Sequence, residues 1–187
     1  MASIDGKLQQ VRERIARACA AAQRPVQSVT LLAVSKTFGA EVVRQAQAAG
    51  QRAFGENYVQ EALAKIDALA NLRPALEWHL IGPLQSNKTR EVAAAFDWVH
   101  SIDRLKVAER LSAQRPPGLA PLQVCLQVNV SGEASKGGVA PADAAALAEA
   151  VSVLPGLRLR GLMAIGTPTS RSCIRMSRRA RAGLLDI

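Results

Sequence analysis

The stretch LLAVSKT, Leu31 to Thr37, is a run of four apolar residues that ends in a single lysine. A run so short reads as an interior strand rather than a helix, and Ser35-Lys36-Thr37 then places polar groups at its carboxyl end. In α/β proteins the ligand crevice lies outside the carboxyl ends of the strands, so Lys36 stands where a ligand would bind. An amine held there, partly desolvated, can lose its proton and attack a carbonyl. Taken alone, the seven residues fit a lysine that simply reaches solvent from a strand end. The rest of the chain changes that balance.

Composition narrows the classes first. The 187 residues suffice for one domain with a core, and the hydrophobic share of 49% fits a globular chain. Aromatics are only 3%, and Phe38, Phe54, Tyr58, Trp78, Phe96 and Trp98 form no stacking series, which argues against single-stranded nucleic-acid binding. Of the net charge of +9, residues 171 to 187 hold +4, from Arg171, Arg175, Arg178, Arg179 and Arg181 against Asp186. The body is therefore only mildly basic. Cys19, Cys125 and Cys173 lack metal-ligand spacing and read as reduced thiols. The polar start MASIDGKLQQVRER has no apolar signal segment, and no run reaches the roughly 18 apolar residues of a membrane span. The expectation is a soluble cytoplasmic protein without membrane or nucleic-acid partners.

Along the chain, Ile4, Leu8, Val11, Ile15, Ala18 and Ala22 predict an apolar stripe on an opening helix. Strand one follows from about Val29 to Ser35, then a helix from Ala40 to Ala49 that stops at Gly50. Strand two, Arg52 to Phe54, runs into Gly55-Glu56-Asn57 and a helix carrying Val59, Leu63, Ile66 and Leu69. Strand three is Glu77 to Ile81, before a helix from Ser86 to Phe96 with Ser86 as its N-cap. Strand four is Trp98 to Ile102, and Asp103 is expected to cap the helix of Leu105, Ala108 and Leu111. Strand five, Leu122 to Val130, alternates through Val124, Leu126, Val128 and Val130. It opens onto the loop SGEASKGG, and Pro141 then starts an alanine-rich helix. Strand six is Leu157 to Ile165.

Six strands separated by helices, with no hairpin signal, predict a parallel sheet with right-handed crossovers. A doubly wound dinucleotide binder would show a Gly-rich turn after strand one, where this chain has SKTFG. A closed barrel needs eight strands in about 250 residues. The chain shows six, so the expected class is α/β, with an open doubly wound sheet and an incomplete (β/α)8 barrel both still open on these patterns alone.

Polar groups recur at the strand ends: Lys36; Glu56 and Asn57; His79 with Gly82, Gln85 and Asn87; His100 and Ser101; Asn129 and Ser131; then Met163. Several such endings on one rim are how an α/β site is built. Each also has an ordinary reading. His79 and His100 can be core histidines satisfied by backbone, Asn57 a helix cap, Met163 core packing and Lys136 a solvated loop lysine.

AVSKT at 33 to 37, FGENYVQE at 54 to 61, EWHLIGPLQSNK at 77 to 88, SIDRL at 101 to 105, QVNVSGEASKGG at 127 to 138 and RLRGLMAI at 158 to 165 together resemble the pyridoxal phosphate homeostasis protein family. The resemblance is ordered and covers residues 1 to about 165. It implies the barrel of the alanine racemase N-terminal domain, with pyridoxal 5'-phosphate carried as a Schiff base on Lys36. Asn57 and Met163 fall where cofactor contacts are expected in the family, and His79 lies on the same rim.

The resemblance stops after Ile165. The family continues with an S-x-G-M-S segment and an R-I-G-x-x-I-F-G segment that hold the phosphate and the ring nitrogen, whereas this chain reads GTPTSRSCIRMSRRARAGLLDI. Residues 1–165 are thus expected to form the cofactor-binding domain and 166–187 a basic, disordered tail foreign to the family, as after a frameshift or early stop. The function implied is non-catalytic: holding intracellular pyridoxal phosphate, with apo enzymes that use the cofactor as recipients. The rivals are a racemase-like enzyme and an inactive truncated product. Racemisation in the resembling enzyme needs a second domain that brings a tyrosine opposite the lysine, and this chain has one tyrosine, Tyr58.

Overall fold

The structure, a computed structural model, describes residues 3–133 and 135–164. The expected tail, and Ile165 at the end of strand six, lie outside the described residues. The elements run α1 (Ile4–Ala21), β1 (Ala33–Val34), α2 (Ala40–Ala48), β2 (Ala53–Glu56), α3 (Val59–Ala68), β3 (Glu77–Leu80), α4 (Thr89–Ala95), β4 (Trp98–Ile102), α5 (Leu105–Gln114), β5 (Leu122–Val128), α6 (Ala144–Ser152) and β6 (Leu157–Ala164). The strands follow one another through the sheet in chain order. A doubly wound sheet reverses its order at a switch point, so this sequential order is the barrel type of α/β arrangement.

The described residues divide into two compact units, one up to Glu56 together with Gln60–Trp78 and the other Asn57–Val59 together with the residues from His79 onward. In the first, β1 pairs in parallel with β2, Ala33 opposite Phe54 and Val34 opposite Gly55. Gln51, buried, ties the two together by donating from Nε2 to the carbonyls of Leu31 and Ala53, both at 2.8 Å. Arg12 of α1 donates to Ala49 O at the carboxyl end of α2, where a cation complements the helix dipole. Gly50 follows at φ +79°, the left-handed position that ends a helix cheaply for glycine. Val43, Ala46, Phe54, Ala62, Leu69 and Trp78 are buried in this unit, with the Phe54 and Trp78 rings 5.9 Å apart.

In the second unit β3, β4, β5 and β6 pair in parallel, and two irregularities shape the sheet. Between β4 and β5 the register passes from Val99 opposite Val124 to Ile102 opposite Leu126, so β4 carries an extra residue at His100 and Ser101. Between β5 and β6 it passes from Val124 opposite Leu159 to Cys125 opposite Gly161, which makes Arg160 the extra residue. Gly161 there has φ +152°, which suits a bulge. Behind the sheet, Val92, Phe96, Leu111 and Val151 are fully buried. Arg115 closes the end of α4 by donating to Ala93 O at 2.6 Å and Phe96 O at 2.9 Å. Gly156 lies so close to Ser112 that a Cβ would come within 2.5 Å of its carbonyl oxygen.

Several expectations change. Strand one shrinks to two residues, and its apolar run is half-buried rather than interior, Val34 being 43% exposed. β1 has a strand on one side only among those described, which leaves its other edge uncovered. At the carboxyl end of α1 the expected stripe fails, Cys19 being buried while Ala18 and Ala22 are exposed, and Ala22 lies beyond the last helical residue, Ala21. Ser86 is not an N-cap but opens a 3-10 turn, Ser86–Lys88, and accepts at its carbonyl from Thr89 Oγ1. Asp103 does not cap α5, whose cap is Arg104 without a side-chain bond, and instead accepts from the Arg104 guanidinium. β5 is buried along nearly its whole length instead of alternating, since a central parallel strand is covered on both faces. Val130 lies beyond it and is exposed. Among the described residues no helix is long and apolar enough to cross a membrane.

Cys125 sits inside β5, and burial pushes its thiol up to about 12 despite the opposing effect of Arg160. The thiolate is the reactive form. Peptide mapping after iodoacetamide at pH 8 should therefore find Cys125 unmodified in the folded protein and modified once urea unfolds it; rapid modification of the native chain would contradict this packing.

Candidate functional site

The first unit holds Lys36 two residues beyond the end of β1, and its side chain is exposed. This departs from the partly desolvated amine expected above. Among the described residues no hydrogen bond or ion pair engages the Lys36 amine. Its two neighbours are held firmly. Ser35 donates its N–H to Gly55 O at 2.9 Å and its Oγ to Glu56 Oε1 at 2.6 Å. Thr37 donates its N–H to Glu61 Oε1, also at 2.6 Å.

The centre of this network is Lys65, a residue the strand-end reading missed. Its Nζ donates to Ser35 O at 2.7 Å, to both Glu56 oxygens at 2.9 and 3.0 Å, and to Glu61 Oε1 at 2.8 Å. Three ammonium protons thus meet three partners. Glu56 is completely buried and Lys65 nearly so. On α3 the buried positions are Val59, Ala62 and Lys65, with buried Leu69 just past its end, so a lysine occupies the apolar face. The signal was present in the spacing, yet Glu61 and Lys65 at i and i+4 read equally well as an exposed surface pair.

The hydrogen bond from Lys65, followed by that from the Thr37 amide, holds the Glu61 carboxyl below its ordinary value of 4.5 against the opposing effect of burial. A lowered carboxylate contributes stability that is complete above the unfolded value and is lost as pH falls through the folded one. The urea midpoint should therefore drop as pH falls below 4.5, and Glu61→Gln should flatten that part of the profile. An unchanged acid limb in the variant would remove Glu61 from the account.

The second unit carries the other three residues singled out from sequence. Asn57 follows β2 directly, and its Oδ1 is buried with no hydrogen-bond partner among the described residues. An orphaned buried acceptor invites a donor from a ligand or water. Asn57 is also tightly seated, because a Cβ on Gly82 would collide with the Asn57 carbonyl oxygen and come within 2.7 Å of its Cα. Gly82→Ala should cost about 1–3 kcal/mol through that overlap, read as a lower urea midpoint; a neutral change would show the backbone free to shift.

His79 is buried within β3, its Nδ1 2.9 Å from His100 Nε2. Trp98 stacks on His79 at 5.3 Å, and the Arg160 guanidinium lies 5.8 Å from the Trp98 ring. The two bulges thus bear on one cluster, since His100 lies in the β4 irregularity and Arg160 is the extra residue of β6. Met163, the penultimate residue of β6, is 1% exposed. Asn129 organises the loop after β5, its Nδ2 donating to the carbonyls of Glu133 and Lys136 and its Oδ1 accepting from Ser131 Oγ and Gly132 N–H. Among the described residues no group of three or more His, Cys, Asp and Glu could hold a metal ion.

The family model of the alanine racemase N-terminal domain matches residues 7–170. The pyridoxal phosphate homeostasis protein of Pseudomonas aeruginosa is 59% identical over all of this chain and 81% of its own length. That of Escherichia coli K12 is 54% identical over 91% of this chain and 73% of its own. Among solved structures, PipY of Synechococcus elongatus PCC7942 with PLP bound is 42% identical with a TM-score of 0.74, covering 89% of this chain and 72% of that one. An alanine racemase of Clostridium difficile 630, at 11% identity and a TM-score of 0.61, shares the fold alone. With a motif series in register from Lys36 to Met163, a sequentially ordered parallel sheet and identities of this size, the chain belongs to the pyridoxal phosphate homeostasis protein family, built on the alanine racemase N-terminal domain.

Proposed function

We propose that this chain binds pyridoxal 5'-phosphate through Lys36 and serves cofactor homeostasis rather than turnover. The observation that carries the reading is a lysine at a strand end whose amine is unengaged while the backbone on both sides is tied down. When bound, pyridoxal phosphate supplies an aldehyde that condenses with a primary amine and a ring that draws electrons from it. The residues fit that group in kind. Lys36 offers the amine, Asn57 Oδ1 offers a buried acceptor that no described residue uses, and Met163 offers a soft apolar surface. His79, buried against His100 and Trp98, is the fourth residue read as cofactor-binding. Residues 1–165 are the cofactor-binding domain in this reading.

Support for homeostasis over catalysis comes from the relatives. Curated homologues at 50–59% identity carry the homeostasis name, whereas the alanine racemases resemble this chain at 11–17% identity and inform the fold alone. The single tyrosine, Tyr58, is exposed, and a second base opposite Lys36 has no candidate in it. The recipients are apo enzymes that use the cofactor, in the cytoplasm.

Mixing the protein with pyridoxal phosphate and reducing with borohydride should fix the label on the peptide that contains Lys36, and Lys36→Ala should abolish it. Loaded protein incubated with L-alanine should produce D-alanine no faster than free cofactor does. Labelling of another peptide at full yield would remove Lys36 from its role, and saturable racemisation lost in Lys36→Ala would make the protein an enzyme.

A further inference from the structure

Two features beside Lys36 are not needed merely to present an amine. One is an ammonium group, Lys65, on the buried face of α3, and the other is Thr37 at φ +67°. A β-branched residue takes the left-handed conformation only where its surroundings over-determine it. We infer that Lys65, Glu56 and Glu61 are positioning residues that lock residues 35 to 37 in one conformation and so fix the direction in which Lys36 is presented. The inference rests on the reading of Lys36 as the cofactor lysine.

The argument is one of connectivity. Lys36 has four methylenes and no partner for its amine among the described residues, so only its backbone can limit where the amine goes. That backbone is gripped on both sides by one cluster. Lys65 holds the Ser35 carbonyl, Glu56 holds the Ser35 hydroxyl, and Glu61 holds the Thr37 amide. Lys65 joins the two carboxylates to each other. The grip spans a single residue, and that residue is Lys36.

A purely structural role would be served better by another side chain. Position 65 packs on the same face as Ala62 and Leu69, where an apolar residue avoids the desolvation of an ammonium and a carboxylate. An apolar residue could not supply donors to a carbonyl on one side of Lys36 while orienting an acceptor for the amide on the other. Formally the triad has two negative charges and one positive, and its spare acceptor capacity is spent on Ser35 and Thr37. A lysine presented in one direction reacts with a bound aldehyde more often than one that sweeps a cone, which is the ordinary benefit of orientation.

The test uses the full chain and three variants. The double variant Glu56→Gln with Lys65→Met removes both buried charges together, Lys65→Arg keeps the cation, and Glu61→Gln weakens the Thr37 tie and the Glu61 bond to Lys65 while leaving the Lys65–Glu56 pair in place. Three quantities are read in each: the urea midpoint, the hydrogen-exchange rate of the Thr37 amide, and the rate at which pyridoxal phosphate with borohydride labels the Lys36 peptide. Trinitrobenzenesulfonate, an amine reagent that needs no oriented approach, serves as the control for accessibility. In the folded double variant, Thr37 exchange should rise and cofactor labelling fall by about tenfold, equivalent to about 1.4 kcal/mol. The trinitrobenzenesulfonate rate should stay within about twofold, a difference too small to count as lost orientation. Lys65→Arg should recover part of both effects.

Native labelling in a folded double variant overturns the inference, whether or not Thr37 exchange has risen. If the double variant does not fold, Glu61→Gln gives the same readouts at a carboxylate whose side chain is 32% exposed, and native labelling there with faster exchange overturns it equally. Full labelling of Lys36→Ala in a chain with the network intact is a separate result. It overturns the cofactor role of Lys36, while Thr37 exchange in the other variants still decides whether the grip exists.

Discussion

A buried ammonium group is the constraint on which the first unit depends. Lys65 cannot leave its partners without stranding Glu56, which has no access to water, and breaking such a pair from one side costs about 3–5 kcal/mol. The hydrogen bonds that satisfy the pair also run into the backbone on either side of Lys36. Stability and presentation are therefore the same set of contacts. A fold that needs its ion triad intact has Lys36 oriented as a consequence, and the exposed two-residue strand β1 does not have to provide that rigidity itself.

The second unit uses a different device. A regular parallel ladder would continue the inside-outside alternation of β4 and β6 without interruption, and each strand breaks it with one extra residue. In β4 the irregularity contains His100, bonded to His79; in β6 it contains Arg160, above Trp98. Bulges re-aim side chains at the expense of ladder hydrogen bonds. The close approach of Gly82 to Asn57 works to the same end, since the space a Cβ would need is filled by backbone. Asn57 is closely packed by Gly82 while its Oδ1 stays without a protein partner among the described residues.

The relatives and the fold bear on different questions. Identity above half of all positions assigns the family, and the remote likeness to alanine racemases assigns the architecture. What separates a homeostasis protein from a racemase in this reading is local chemistry. The lysine and its supporting network are the part of that chemistry the described residues display. A fold shared at low identity says nothing on that point.

From local patterns came the α/β class, the order of the six described strands and Lys36 as the residue at the first strand end, while the barrel type came from the family resemblance. Those local patterns are the hydrophobic period and Gly and Pro at boundaries. Where expectations slipped, as at the caps, Ser86 instead accepts at its carbonyl from Thr89 and Asp103 accepts from Arg104, partners that compete with capping and that residue type does not choose between. Only the tertiary structure could show that Lys65 is buried, that Glu56 faces it, and that His79 meets His100. A Glu and a Lys four residues apart have the same spacing on a wet helix face and on a dry one. Which they occupy is set by backbone groups 30 and 24 positions away in sequence, the Ser35 carbonyl that accepts from Lys65 and the Thr37 amide that donates to Glu61, and no local pattern encodes such pairings.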